Sequence, residues 1–292
     1  MSSFINSVKK YFSLVKFSHT VFAMPFALIG FSLAVSRTDQ TFSLKLLFLI
    51  ILCMIFARNA AMGFNRLADH RFDALNPRTK DREIPAGKIS LKAAAIFIII
   101  NSLLFILTTG FINRLTLYLS PVALIIILGY SLSKQMTMLC HFILGLALSL
   151  APIGAYISVT GSFDLLPVIF SMIVITWVSG FDIIYALQDD DFDRSNQLHS
   201  LPSAAGRKKA LSISTLVHFI TFILVITAGC LEKGGLFFWI GAAVFTSLLV
   251  YQHRLVKHDD LSRVTLAFGT TNGIASILFA AFVILDLYLR YH

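Results

Sequence analysis

Residues 43–73 read SLKLLFLIILCMIFARNAAMGFNRLADHRFD. Most of this stretch is apolar, and as a helix rising 1.5 Å per residue it is long enough to cross a bilayer. It then ends in acids. Asn65, Asp69 and Asp73 recur at every fourth position, so on a helix all three line one face. Carboxylates are costly beside hydrocarbon, which argues that these have a task. Three oxygen-bearing side chains on one face suit a hard cation such as Mg²⁺.

About 120 residues on, Asp189 and Asp193 repeat the four-residue spacing at the end of another apolar stretch, and Asp182 and Tyr185 extend the same face upstream. Asp190 and Asp191 point elsewhere on that helix. Two facing acid clusters could hold Mg²⁺ against a diphosphate, with Asn65, Asp69, Asp73, Asp189 and Asp193 as metal ligands. The first cluster continues into alternating Arg78, Lys80 and Arg82, cations suited to the remaining phosphate oxygens. Topology accounts equally well for any one of these basic residues, but not for acids gathered at the same edge. Arg58 lies two turns before Asn65 on the same face, inside the span, where a charge is rarely filler. Its expected role is to bind an anion or an aromatic substrate, against snorkelling or pairing with Asp182. Tyr185 suits a substrate hydrogen bond or the aromatic interface belt. His19, His70, His141 and His199 are weaker candidates, because a lone histidine near a membrane edge usually satisfies a local hydrogen bond.

Outward from these clusters, the 292-residue chain is 57% hydrophobic and 13% charged, which excludes a soluble globular domain. The expected fold is all-α, a polytopic membrane bundle of about nine transmembrane helices near 18–36, 43–62, 91–112, 115–132, 138–158, 165–187, 211–230, 234–252 and 265–289. With the N-terminus cytoplasmic, Lys and Arg concentrate on alternate loops, leaving Arg37, Lys45, Arg114, Lys233 and Arg290 outside. The net charge of +9 is therefore mainly a topology signal and does not indicate nucleic acid. The first apolar stretch, with Pro25, reads as a retained helix rather than a cleaved leader. Lys9, Lys10 and Lys16 among Phe4, Tyr11 and Phe12 suit an amphipathic cytoplasmic segment. Cys53, Cys140 and Cys230 have no zinc or disulfide spacing. Residues 1–292 read as one domain, with two long cytoplasmic loops at about 64–90 and 188–210 that suggest an internal duplication of the acidic element.

On these motifs, Asn65-xxx-Asp69-xxx-Asp73 followed by Asn76-Pro-Arg78-Thr, and Asp189-xxx-Asp193 preceded by Tyr185-Ala-Leu-Gln, the chain resembles the UbiA superfamily of intramembrane aromatic prenyltransferases over nearly its whole length. The resemblance implies that Asp69, Asp73, Asp189 and Asp193 are the catalytic carboxylates, binding Mg²⁺ and the diphosphate of a polyprenyl donor, and that Arg58 is the arginine before the first motif. Where the family often has Tyr followed by Lys-Arg, this chain has Tyr130-Ser-Leu-Ser-Lys134-Gln135. Lys134 can meet a diphosphate, and Gln135 lacks the forked donor. The stretches from Lys16 to Phe22 and from Asp193 to Ser200 resemble the bacterial 4-hydroxybenzoate polyprenyltransferase subgroup. The implied reaction moves a polyprenyl group to the ring of an aromatic acid in respiratory quinone biosynthesis, at the bacterial inner membrane with the site facing the cytoplasm. Prenylation of a naphthoate for menaquinone is the alternative within the class, and a cation-coupled transporter using Asp182 and Arg58 is the rival outside it.

Overall fold

The structure, a computed structural model, describes residues 22–38 and 40–291 together with Tyr11 and Leu14. The basic head and His19 lie outside the described residues. Among the described residues every regular element is helical. The long helices are α1 (Met24–Arg37), α2 (Leu44–Ala68), α4 (Leu91–Gly110), α5 (Arg114–Ser133), α6 (Cys140–Thr160), α7 (Leu165–Ala186), α10 (Arg207–Glu232), α11 (Leu236–Leu255) and α12 (Asn272–Tyr291). Short α3 (His70–Leu75), α8 (Asp190–Ser195) and α9 (Leu201–Ala205) sit in the two long loops. Among the described residues, 8 helices are long and apolar enough to cross a membrane, and α1, with 14 residues, is the shorter ninth.

Polar side chains at the loop edges set where these helices start. Ser43 accepts from Leu46 N at 3.3 Å to cap α2, and Asp164 accepts from Leu166 N at 3.0 Å to cap α7. Asn113 and Thr116 form a reciprocal capping box, which separates α4 from α5 where only a few residues intervene. Gly161, at φ 66°, terminates α6 in the left-handed conformation.

The apolar pattern of α7 runs all round the helix, so α7 is the central helix and is buried on nearly every side. It packs against α6 and α10, while α1 packs on α6 and α12, and α2, α4 and α5 pack on one another. Trp177 of α7 is fully buried among Phe26, Phe181 and Phe245. Between helices with apolar faces on both sides, small residues set how closely they approach. A Cβ on Gly30 would lie 2.0 Å from Pro152 O, and one on Gly145 would lie 2.5 Å from Ile175 O, so the α1–α6 and α6–α7 contacts require glycine. At the end remote from the acidic motifs, buried Glu232 receives Arg37 at 2.7 Å and Arg290 at 2.8 Å, tying α1, α10 and α12 together.

Candidate active site

The first acidic motif does not stay on one unbroken helix. At Asp69, with φ −90° and ψ 2°, α2 gives way to α3. The hydrogen bonds Asp69 N to Asn65 O (3.0 Å) and Asp73 N to Asp69 O (2.8 Å) nevertheless carry the four-residue spacing through the break. The second motif is built the same way, with α7 passing through a 3₁₀ turn at Leu187–Asp189 into α8. In both loops a span-length helix tightens or breaks at its acids, so the side chains gather at the helix end instead of continuing along a straight stripe.

Folding brings the two motifs together. Asn76 donates to Asp189 Oδ1 at 3.2 Å, and Arg78 Nε donates to the same oxygen at 3.0 Å while its Nη2 meets Asp189 Oδ2. Arg78 Nη1 also donates to the Tyr185 hydroxyl at 3.1 Å, and its guanidinium lies 5.6 Å above that ring. Arg82 pairs with Asp73 at 2.7 Å, and Lys134 with Asp193 at 2.7 Å. Ser200 donates to the other Asp193 oxygen at 2.9 Å, and Asn65 donates to Asp69 at 3.0 Å.

These groups, Ser200 apart, line one cavity of about 650 Å³ between α2, α5, α6 and α7. Asn65, Arg66, Asp69, Asp73, Arg78, Arg82, Lys134, Asp189 and Asp193 form its polar end, with Arg58, Asp182 and Tyr185 on its wall. Deeper, the lining turns apolar with Ile50, Met54, Phe105, Leu119 and Leu148. Val122 and Phe163 line the cavity and are 53% and 58% exposed, so its wall reaches the outer surface of the bundle there.

Electrostatics at the polar end reflect crowding. Burial, then the neighbouring Asp73 charge, push the Asp69 carboxyl up to about 6, against the pull of Lys134, Gln135 and Arg66. Burial works against the Lys134 ammonium, but Asp193 and then Asp189 outweigh it and hold its pKa above the usual lysine value. The same contest raises Arg78, where Asp189 and Tyr185 overcome the cost of burial.

The donor set fits a divalent cation of the Mg²⁺ type that takes part of its coordination from a phosphate. Buried Asp73 Oδ2 has no hydrogen-bond partner, and buried Asp193 Oδ1 meets only the Lys134 ammonium. Among the described residues no three His, Cys, Asp or Glu side chains converge as a closed metal cage. Split carboxylates are what Mg²⁺ uses when substrate oxygens and water complete its octahedron.

Most expected site residues meet here, with exceptions. Lys80 is exposed on the turn after α3 and does not line the cavity, because the chain there winds in helix-like turns (Lys80 N to Asn76 O 2.9 Å, Arg82 N to Thr79 O 3.0 Å) that put Arg78 and Arg82, four residues apart, on one side and Lys80 on the other. Asp182 pairs with His141 at 2.7 Å, not with Arg58. His70 satisfies Leu67 O at 2.8 Å, a local bond as expected of it, and His199 is exposed. Asp190 turns away to Arg207 at 2.7 Å. The three cysteines are free. Sequence reasoning passed over Arg66, which is buried against the cavity, because its position beside Asn65 reads as a topology charge. It also passed over Phe268, which stacks on Tyr185 with centroids 4.0 Å apart. Phe268 lies in a π-helical turn, Leu266–Thr271, whose widened carbonyls at 267 and 268 are met by Asn272 Nδ2. Single-residue patterning carries no sign of such a turn.

A helical membrane bundle with paired acids at one end of an amphipathic cavity defines a class, and the chain belongs to the UbiA prenyltransferase family, whose model matches residues 23–283. Among curated relatives, the 4-hydroxybenzoate octaprenyltransferase of Aliivibrio fischeri (strain MJ11) is 29% identical over 238 residues, 80% of this chain and 82% of that protein. The enzyme of the same name from Nitrosospira multiformis is 29% identical over 248 residues, 85% of this chain and 84% of its own. Among solved structures, the apo UbiA homologue from Aeropyrum pernix K1 superposes with a TM-score of 0.83 at 31% identity, covering 92% of this chain and 98% of that one. A UbiA homologue from Archaeoglobus fulgidus, solved with GPP and Mg²⁺, shares the fold with a TM-score of 0.72 at 21% identity, covering 96% and 99%. Membership in a family of prenyltransferases decides against the transporter reading.

Proposed function

We propose that this chain, as a single prenyltransferase domain, moves a polyprenyl group from polyprenyl diphosphate to the ring of an aromatic acid of the 4-hydroxybenzoate type, in respiratory quinone biosynthesis at the bacterial inner membrane. The observation that carries the proposal is one cavity with acids and cations at one end and hydrocarbon at the other. Its polar end matches a diphosphate and its apolar end an isoprenoid tail. The relatives named for octaprenyl transfer to 4-hydroxybenzoate support the acceptor class. The Archaeoglobus structure with GPP and Mg²⁺ supports the donor class.

Asp69, Asp73, Asp189 and Asp193, with Asn65, would hold Mg²⁺, which when bound supplies positive charge to a leaving diphosphate. The forked Arg78 and Arg82 and the Lys134 ammonium bind diphosphate oxygens and stabilise charge as the allylic C–O bond ionises. Each already sits against a carboxylate, so it is held in place before substrate arrives. Tyr185, packed between the Arg78 guanidinium and Phe268, accepts from Arg78 through its hydroxyl and helps hold that guanidinium at the diphosphate end. Arg58, two turns below Asn65, binds the carboxylate of the acceptor. The isoprenoid tail leaves the apolar end beside Val122 and Phe163, towards lipid. The alternation of basic loops supports a polar end on the cytoplasmic side.

Purified protein in liposomes, given a polyprenyl diphosphate and Mg²⁺ with either 4-hydroxybenzoate or 1,4-dihydroxy-6-naphthoate, tests the assignment. Prenylated 4-hydroxybenzoate, abolished by EDTA and in Asp69→Ala, is the expected result. Product with the naphthoate alone would move the chain to menaquinone synthesis.

A further inference from the structure

Electrophilic prenylation of a ring leaves a proton to remove, and the acids that line the cavity differ in their freedom to accept it. These acids are Asp69, Asp73, Asp182, Asp189 and Asp193. Asp73, Asp189 and Asp193 are each paired with a cation of the polar end, and Asp69 stands among them. Asp182 lies seven residues before Asp189 on α7, about 10 Å deeper along the helix, the same offset that separates Arg58 from Asn65 on α2. Arg58 and Asp182 thus share a level below the diphosphate end, where the ring of an acceptor held by its carboxylate would lie.

The partner of Asp182 is a histidine whose tautomer the surroundings determine. Leu201 N–H donates to His141 Nε2 at 3.2 Å, so Nε2 carries the lone pair and Nδ1 carries the proton. That proton points at Asp182 Oδ2, 2.7 Å away. The imidazole is buried, with its side chain 2% exposed, while the aspartate side chain is 21% exposed on the cavity wall. His141 therefore occupies one carboxylate oxygen and leaves the other, which takes no hydrogen bond from any described residue. A carboxylate fixed by an imidazole through one oxygen and open at the other offers the positioned lone pair that a general base requires. The three motif acids are instead held by cations at the diphosphate end, where metal and phosphate would take the oxygens left open.

We propose that Asp182 is the base that removes the ring proton, with His141 as its positioning residue; the proposal rests on the aromatic-acid prenylation reading above. As the allylic carbon bonds to the ring, the C–O bond breaks and its electron pair leaves with the diphosphate. The ring carbon then holds both the prenyl group and a hydrogen. Its C–H bond breaks, the electron pair restores aromaticity, and the proton passes to Asp182 Oδ1.

The test uses full-length protein in detergent with geranyl diphosphate and 4-hydroxybenzoate, either unlabelled or deuterated at the ring positions beside the hydroxyl. With ionisation as the limiting step, the wild type is expected to show little isotope effect. Asp182→Asn, nearly isosteric and still an acceptor for His141 Nδ1–H, is expected to keep the donor KM and lose about 100-fold or more in kcat. Proton removal becomes limiting in that variant, and a primary deuterium effect emerges. His141→Leu should uncover the same effect with an unchanged donor KM, and His141→Gln, which keeps an N–H donor, should restore most of the turnover. Asp182→Ala supplies an independent arm: formate, small enough to enter the vacated space, should recover product. Wild-type kcat in Asp182→Asn, a loss of kcat without an isotope effect, or a loss that tracks failed donor binding would each overturn the assignment. A wild type that prenylates no aromatic acid would bring down the parent reading, a failure distinguished by that control.

Discussion

Arg78 reaches across 111 positions of sequence to Asp189 with two of its guanidinium nitrogens, and a third donates to Tyr185. The planar fork makes all three contacts together, and a lysine ammonium at the same place has no such fork. Arg78→Lys is therefore expected to raise the KM for donor diphosphate about tenfold, the equivalent of roughly 1.4 kcal/mol, with a smaller change in kcat. Steady-state kinetics with donor varied at saturating acceptor measures it, and an unchanged KM would show that Arg78 only braces Asp189. At this scale the motif acids were legible, because a four-residue spacing is a local property that survives the break at Asp69. The His141–Asp182 pair was not, since its members lie 41 positions apart on two helices and neither has a distinctive neighbourhood.

Helices α6 and α7 meet at Gly145, where the carbonyl of Ile175 occupies the space a side chain would need. Adding one methyl there pushes two backbones apart, an overpacking that costs about 1–3 kcal/mol. Gly145→Ala should lower the thermal midpoint in detergent. It should also reduce activity at temperatures where the protein is still folded, because His141 sits one turn from Gly145 on α6 and Asp182 lies across the seam on α7. A midpoint equal to that of the wild type would mean that the seam yields without cost. Helix existence was readable from apolar length, whereas the caps at Ser43, Asn113 and Asp164 came from the structure. The π-turn at 266–271 was not, because its extra residue is accommodated by Asn272, whose role depends on its tertiary bonds to Gln252 and Trp177.

Across the whole molecule, cations and carboxylates at the polar end are paired with one another: Arg78 with Asp189, Arg82 with Asp73, and Lys134 with Asp193. A divalent cation arriving alone must compete with these bonds, and so must a diphosphate. Arriving together, each takes the partners the other releases. Titration calorimetry should thus find Mg²⁺ alone binding weakly and inorganic pyrophosphate alone binding weakly, with either one raising the affinity for the other at least tenfold, a coupling of about 1.4 kcal/mol. Independent binding of the two would contradict this arrangement of charge.

The sequence by itself determined the membrane-bundle class, the approximate number and rough limits of the helices, the two acidic motifs and the cations that follow them. Each of these is written in short-range spacing or in the length of an apolar run. Tertiary structure alone decided which carboxylate meets which cation, that Lys80 faces away while Arg66 faces in, and that Asp182 takes His141 and not Arg58. Those outcomes depend on how two helix faces rotate against each other. That rotation is set by packing around α7 and by close passages at Gly30 and Gly145, contacts between residues far apart in the chain.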